Sequence, residues 1–160
     1  MKEIQLTKGQ IAIVDDEDYI LLSKWKWHAK PYSNGDGYYA ARTSRGATIR
    51  MHRQIMDAKT GEEVDHRDGH GLNNQRGNLR ICTRAENVYN RKASSRNSSG
   101  YIGVFWHTQS GKWRARVRME GKQEKCRTFL DPYHAALFYD FWATQYFGDF
   151  AKLNFEKEAE

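Results

Sequence analysis

In the first fifty residues apolar positions come in short runs closed by turn-forming residues, the pattern of short strands rather than of long helices. "IQL" and "IAIV" flank a Lys-Gly turn and predict two such strands, and "DDEDYILLSK" predicts a short helix capped by Asp15 or Asp16. Trp25 and Trp27 alternate with Lys24 and Lys26, which predicts a half-buried strand, and "SNGDG" predicts a hairpin leading into "YYAARTS". Further on, "EEVDH" reads as the end of a strand and "LRIC" as the strand that returns beside it, with Leu79 and Ile81 facing inward. In "TRAEN", Thr83 and Glu86 form a capping-box signature, so a helix is expected from Arg84, with Asn87 in its first turns. After the polar stretch "SSRNSS" the pattern changes. "YIGVFW", "WRARVRM" and "QEKCRTF" predict three strands separated by turns at "QSGK" and "EGK". A helix then runs from Pro132, with Asp131 as N-cap, to Gly148. The predicted class is α+β, and the chain is expected to divide into residues 1–93, a linker at 94–99, a small domain at 100–155 and an acidic tail at 156–160.

Composition changes this picture little. With 39% hydrophobic and 13% aromatic residues at a net charge of +6, the chain is too apolar to stay disordered. The opening residues lack a signal-peptide core and no run approaches a membrane span, so a cytoplasmic protein without membrane partners is expected. Cys82 and Cys126 lie far apart with no CxxC pair, which argues against a disulfide framework and against a Cys-rich zinc site.

Charge is more informative by position than in total. Residues 66–96 carry Arg67, Arg76, Arg80, Arg84, Arg91, Lys92 and Arg96 against only Asp68 and Glu86. Residues 112–127 carry a second basic run, and the chain from Asp131 onward turns acidic. Such runs by themselves fit a polyanion partner and a solvated face equally well.

The candidate chemistry lies in "VDHRDGHGLNNQRGNLRICTRAENVYN". Asp65 beside His66 supports two readings, ordinary turn chemistry or a metal-dependent phosphodiesterase site. On the second, a strand, loop, strand, helix order can bring Asp65, His66 and Asn87 together. Asp65 and Asn87 offer oxygen ligands suited to Mg2+, and neutral His66 can take a proton from the attacking water. Arg84 can contact a phosphate oxygen, and Asn78 can tie the loop backbone and fix the direction of His66. His70 reads as a loop residue. His52, in "RMHRQIM", reads equally as structural or as part of the site. Asn90 is open between a spare ligand, a phosphate contact and a solvent-facing residue.

Taken whole, this stretch resembles the HNH nuclease motif in the form found in phage and intron-encoded homing endonucleases. The resemblance covers most of residues 1–93 and implies a ββα-metal fold with N-terminal β-strands. It implies His66 as general base, Asn78 as the loop-ordering middle residue, and Asn87 as a metal ligand together with Asp65. Asn rather than His at the last position argues against the histidine-rich, zinc-binding, colicin-like branch.

In "KWRARVRM" the strand period of two puts Lys112, Arg114, Arg116 and Arg118 on one face and Trp113, Ala115, Val117 and Met119 on the other. The second face can pack on the helix bearing Ala135, Ala136, Phe138, Tyr139, Trp142 and Ala143, leaving a cationic ribbon suited to the major groove. Residues 100–155 resemble the DNA-binding domain of Apetala-type ethylene-response factors, a three-stranded antiparallel sheet with one helix. Ile102, Phe105, Arg116 and Arg127 depart from the plant pattern, so the plant recognition sequence does not carry over. The expected DNA-facing residues are His107, Lys112, Arg114, Arg116, Arg118, Gln123 and Lys125.

The reading that follows is a sequence-directed DNA endonuclease of the homing type, using Mg2+ or Mn2+. It acts on duplex DNA as a monomer and nicks one strand per active site. The alternative is a catalytically silent DNA-binding regulator that uses the nuclease unit as a scaffold. RNA binding without catalysis fits less well, because the sheet lacks an evident row of outward aromatics for base stacking.

Overall fold

The alternating runs at the start of the chain become β1 (Lys2–Gln5) and β2 (Ile11–Val14), paired antiparallel, in a computed structural model that describes residues 1–33, 37–89 and 97–155. Lys8 and Gly9 between them both adopt left-handed backbone, as the Lys-Gly turn requires. Helix α1 (Asp16–Leu22) follows with Asp15 at its N-cap position. The Asp15 carboxylate caps nothing in its own helix and instead accepts from Gln75 Nε2 at 3.2 Å and from the Arg76 backbone at 2.8 Å. Of the predicted hairpin turn "SNGDG", residues 34–36 lie outside the described residues, as do Asn90, residues 94–96 of the expected linker and the tail at 156–160.

A three-stranded antiparallel sheet is built from β3 (His28–Pro31), β4 (Tyr38–Ser44) and β5 (Ala47–Arg50), with β4 central. The strand expected at Trp25 and Trp27 begins only at His28. Trp27 lies before it, buried, with its indole N–H donating to the Leu22 carbonyl at 2.9 Å, so it closes the end of α1 instead of pairing in a sheet. Helix α2 (Met51–Ile55) leads to β6 (Glu63–His66) and β7 (Leu79–Cys82), an antiparallel ribbon whose register sets Asp65 opposite Arg80 and His66 opposite Leu79. Helix α3 (Arg84–Tyr89) starts where the capping box places it. Glu86 accepts from the Thr83 backbone at 2.8 Å, and the Glu86 backbone donates to Thr83 Oγ1 at 3.3 Å. Leu79 joins a core with Val14, Leu22, Trp27, Met51 and Val64, whereas Ile81 is 45% exposed and corrects the expectation that it faces inward. Among the described residues the two-stranded ribbon carries no further strand to cover that end.

The chain divides into two units, Met1–Asn87 and Val88–Glu160. In the second, β8 (Val104–His107), β9 (Lys112–Val117) and β10 (Lys125–Phe129) form an antiparallel sheet with β9 central. The helix α4 (Pro132–Phe147) is capped by Asp131, which accepts from the His134 backbone at 2.9 Å. Ala115 and Val117 pack with Ala135, Ala136, Tyr139 and Ala143, and the alanines let helix and sheet approach closely. Gly103 is required here, because a Cβ would meet Tyr139 at 2.1 Å and the backbone is left-handed. Among the described residues no helix is long and apolar enough to cross a membrane.

Candidate functional site

Strand alternation sorts the β6–β7 ribbon into two faces. Val64, His66 and Leu79 share the face whose Val64 and Leu79 belong to the core, while Glu63, Asp65, Arg80 and Cys82 share the other. On that second face Arg80 grips Asp65, its Nε at 2.8 Å and Nη2 at 2.6 Å from Oδ2, both side chains being buried. Asn87 reaches back from α3, and its Nδ2 donates to Glu63 Oε2. Burial pushes the Cys82 thiol up to about 11, helped by the charges of Asp65, Glu63 and Glu86. The face therefore has an anionic field only partly offset by Arg80.

Hard oxygen donors in such a field suit a small divalent cation. Asp65 and Glu63, two positions apart on one strand face, lie roughly 7 Å apart along it, and Asn87 is hydrogen-bonded to one of them. Among the described residues no three His, Cys, Asp or Glu side chains gather in the way a protein-only metal cage requires.

His66 lies on the opposite face from Asp65, at the strand end, and is buried. Its ring stands edge-on to His52 at 4.9 Å and lies 6.1 Å from Tyr39, which is itself 5.2 Å from His52. Burial lowers the pKa of His66, opposed by a hydrogen bond that the ring donates to Asn74 and by the charges of Asp68 and Asp65. Burial also lowers His52, to about 3, with smaller contributions from His66, Arg50 and Arg53, so both imidazoles are neutral near pH 7. A neutral His66 is the form that accepts a proton.

The loop between the strands is organised by Asp68, whose carboxylate accepts from the His70 backbone at 2.8 Å, from Asn73 Nδ2 at 2.8 Å and from Asn78 Nδ2 at 3.0 Å. Asn78 in turn accepts from the Asp68 backbone at 3.1 Å and donates to the Asn73 carbonyl at 2.8 Å. Asn74, fully buried, donates its backbone N–H to Ile13 at 2.7 Å, which ties the loop to β2. Gly71 leaves no room for a Cβ, which would stand 2.3 Å from the Tyr32 hydroxyl and 2.7 Å from the Tyr38 carbonyl oxygen. These contacts act on His66 through its neighbour Asn74 and through the chain that follows it.

Of the residues expected in this site, Asp65 is joined to Arg80 and Asn87 to Glu63, while His66 sits with His52 and Tyr39. Arg84 is exposed at the start of α3. Glu63, Asp68, Asn74 and Tyr39 were not singled out from the sequence. Asp68 had a signal, an Asp before Gly of the kind that accepts from the backbone two residues on.

In the second unit, Lys112, Arg116 and Arg118 are exposed and Arg114 is half-buried, while Ala115 and Val117 between them are buried, as the period of two predicts. Phe105 and Thr128 lie opposite Arg114 on the flanking strands, and the Arg116 guanidinium stands 5.1 Å over the Phe105 ring. Arg118 pairs with Glu124, and His107 contacts the Ser110 hydroxyl at 2.8 Å. Lys125 lies opposite Val117, on the helix side, with its ammonium 4.4 Å over Trp142 and 3.3 Å from the exposed Gln123. The cationic row and Lys125 thus occupy different faces.

The HNH endonuclease family matches residues 50–89, which span α2, the β6–β7 ribbon and α3. Protein 3.8 of Escherichia phage T7 is 37% identical over 84 residues, covering 49% of this chain and 69% of that protein. An uncharacterized HNH endonuclease, L560, of Acanthamoeba polyphaga mimivirus is 29% identical over 153 residues, covering 92% of this chain and 76% of its own length. No solved structure matches the chain.

Proposed function

The chain belongs to the HNH endonuclease family, and on that premise we propose that it is a divalent-metal-dependent DNA endonuclease of the homing type. It nicks one strand of duplex DNA per active site, in the infected host cell. What supports this reading most is that Asp65, His66 and Asn87 fall in one strand, loop, strand, helix unit inside the residues that the family matches. This unit is read as the ββα-metal core. Asp65 and Asn87 would hold Mg2+ or Mn2+, which would supply neutralisation of the negative charge that builds up during hydrolysis. His66 takes the proton of the attacking water. Asn78 keeps the loop folded beneath that imidazole, and Arg84 contacts a phosphate oxygen.

The second unit, read as the Apetala-type DNA-binding domain at residues 100–155, holds the duplex through the outward row of Lys112, Arg114, Arg116 and Arg118. His107 and Gln123 contact the backbone at its margins, whereas Lys125, on the helix side of the sheet over Trp142, is not placed to join them. Cations in successive outward positions on a two- or three-stranded ribbon suit the major groove.

One observation favours the regulator reading instead: Arg80 already neutralises Asp65 within a buried pair. Incubation with supercoiled plasmid and with a pool of randomised duplexes separates the two. The nuclease reading expects nicked product with Mg2+, none with EDTA, and recovery when Mg2+ is restored in excess. DNA that is bound but intact under all these conditions would establish the regulator.

A further inference from the structure

Most guanidiniums around the nuclease motif are already engaged. Arg80 holds Asp65, Arg76 holds Asp18 at 2.8 Å, Arg42 donates to Gln54 at 3.0 Å, and Arg53 donates to the Lys59 carbonyl at 2.9 Å. Arg50, the last residue of β5, differs. It is exposed, and among the described residues its side chain makes no hydrogen bond or ion pair, yet its guanidinium carbon stands 5.2 Å over the Tyr39 ring. Stacking on an aromatic face orients the guanidinium plane and leaves its five N–H donors available. The same Tyr39 ring is the neighbour of both His52 and His66, and the charge of Arg50 is felt by His52. A fixed cation with unused donors therefore stands beside the imidazole cluster. Arg84, by contrast, has no aromatic ring to orient it among the described residues.

We propose that Arg50 is a further catalytic residue, which donates to a non-bridging oxygen of the scissile phosphate and stabilises the charge that builds there during hydrolysis. The inference rests on the nuclease reading above. In the step it serves, the water oxygen bonds to phosphorus as the bond from phosphorus to the 3' oxygen breaks. The proton of the water passes to His66, and solvent protonates the departing 3' oxygen. Because the guanidinium is held by stacking before substrate arrives, its contribution falls on the transition state more than on DNA binding.

The test is single-turnover cleavage of a duplex that the full chain cuts, at saturating protein with Mg2+, for wild type, Arg50→Ala, Arg50→Lys and the turn variant Arg45→Ala. DNA affinity is measured in parallel by fluorescence anisotropy. Arg50→Ala should lower the rate constant by about 10²–10³-fold while affinity changes by less than roughly threefold. Arg50→Lys, which keeps the charge but loses the planar fork, should recover part of the rate, and Arg45→Ala should match wild type. The exposure of Arg50 and the absence of a capping bond from its side chain predict an unchanged thermal midpoint. An Arg50→Ala rate within twofold of an active wild type overturns this inference alone. A wild type inert on every duplex overturns it together with the nuclease reading.

Discussion

Replacing His66 by alanine or glutamine lowers the nicking rate by about 10²–10⁴-fold, the usual contribution of a positioned general base. The argument runs from the environment of the ring. It is buried, held by Asn74, and flanked by His52 and Tyr39, and this burial favours the neutral imidazole. A neutral nitrogen can accept the proton of an attacking water, whereas neither alanine nor glutamine can. Glutamine is the sharper variant, since it fills much of the volume that alanine would leave as a cavity, and a cavity has its own cost of about 2–5 kcal/mol. Rates on supercoiled plasmid, read beside the thermal midpoint of each variant, separate lost chemistry from lost folding. A His66→Gln protein that stays folded and cuts within tenfold of wild type would remove His66 from the role of base.

Acid should destabilise the first unit well before its carboxylates titrate, and His52 is the cause. Its pKa is about 3 in the folded protein against 6.5 ordinarily, so the unfolded chain takes up the proton first as pH falls. The contribution of His52 to stability is therefore complete above pH 6.5, declines between 6.5 and about 3, and levels off below that. The gap corresponds to roughly 4–5 kcal/mol in full and about 2 kcal/mol by pH 5, a large share of the roughly 5–15 kcal/mol that holds a typical domain together. His66, also lowered by burial, adds in the same direction. Urea midpoints at pH 7.5 and pH 5 measure this, and His52→Leu, with no proton to gain, should flatten the difference. Equal pH dependence in wild type and His52→Leu would show that His52 does not carry the effect.

Local chemistry was legible in the sequence wherever it is decided by neighbours a few residues apart. The Thr83–Glu86 box, the Asp131 cap and the alternation from Lys112 to Val117 are all of this kind, and all appear as read. Trp25 and Trp27 misled because an alternation of period two also arises when a chain leaving a helix turns one side to the core. Ile81 misled because the period of a strand names a face without saying how far the core extends beneath it. The pairing of Asp65 with Arg80 depends on the exact register across a twelve-residue loop, and the register is fixed by the Asp68 and Asn78 hydrogen bonds. The cluster of Tyr39, His52 and His66 joins β4, α2 and β6, three elements whose meeting is decided by the packed core. No local pattern encodes it.

Mn2+ binding to the full chain, read as free ion by electron paramagnetic resonance in the presence of uncut duplex, bears most directly on the assignment of Asp65 and Asn87. Asn87→Leu is the informative variant, because it removes the amide oxygen at a half-buried position while keeping the side chain's size and leaving the Asp65–Arg80 pair intact. Wild type should bind the ion, and Asn87→Leu should bind it at least tenfold more weakly without a change in fold. Undiminished Mn2+ affinity in Asn87→Leu would contradict the assignment.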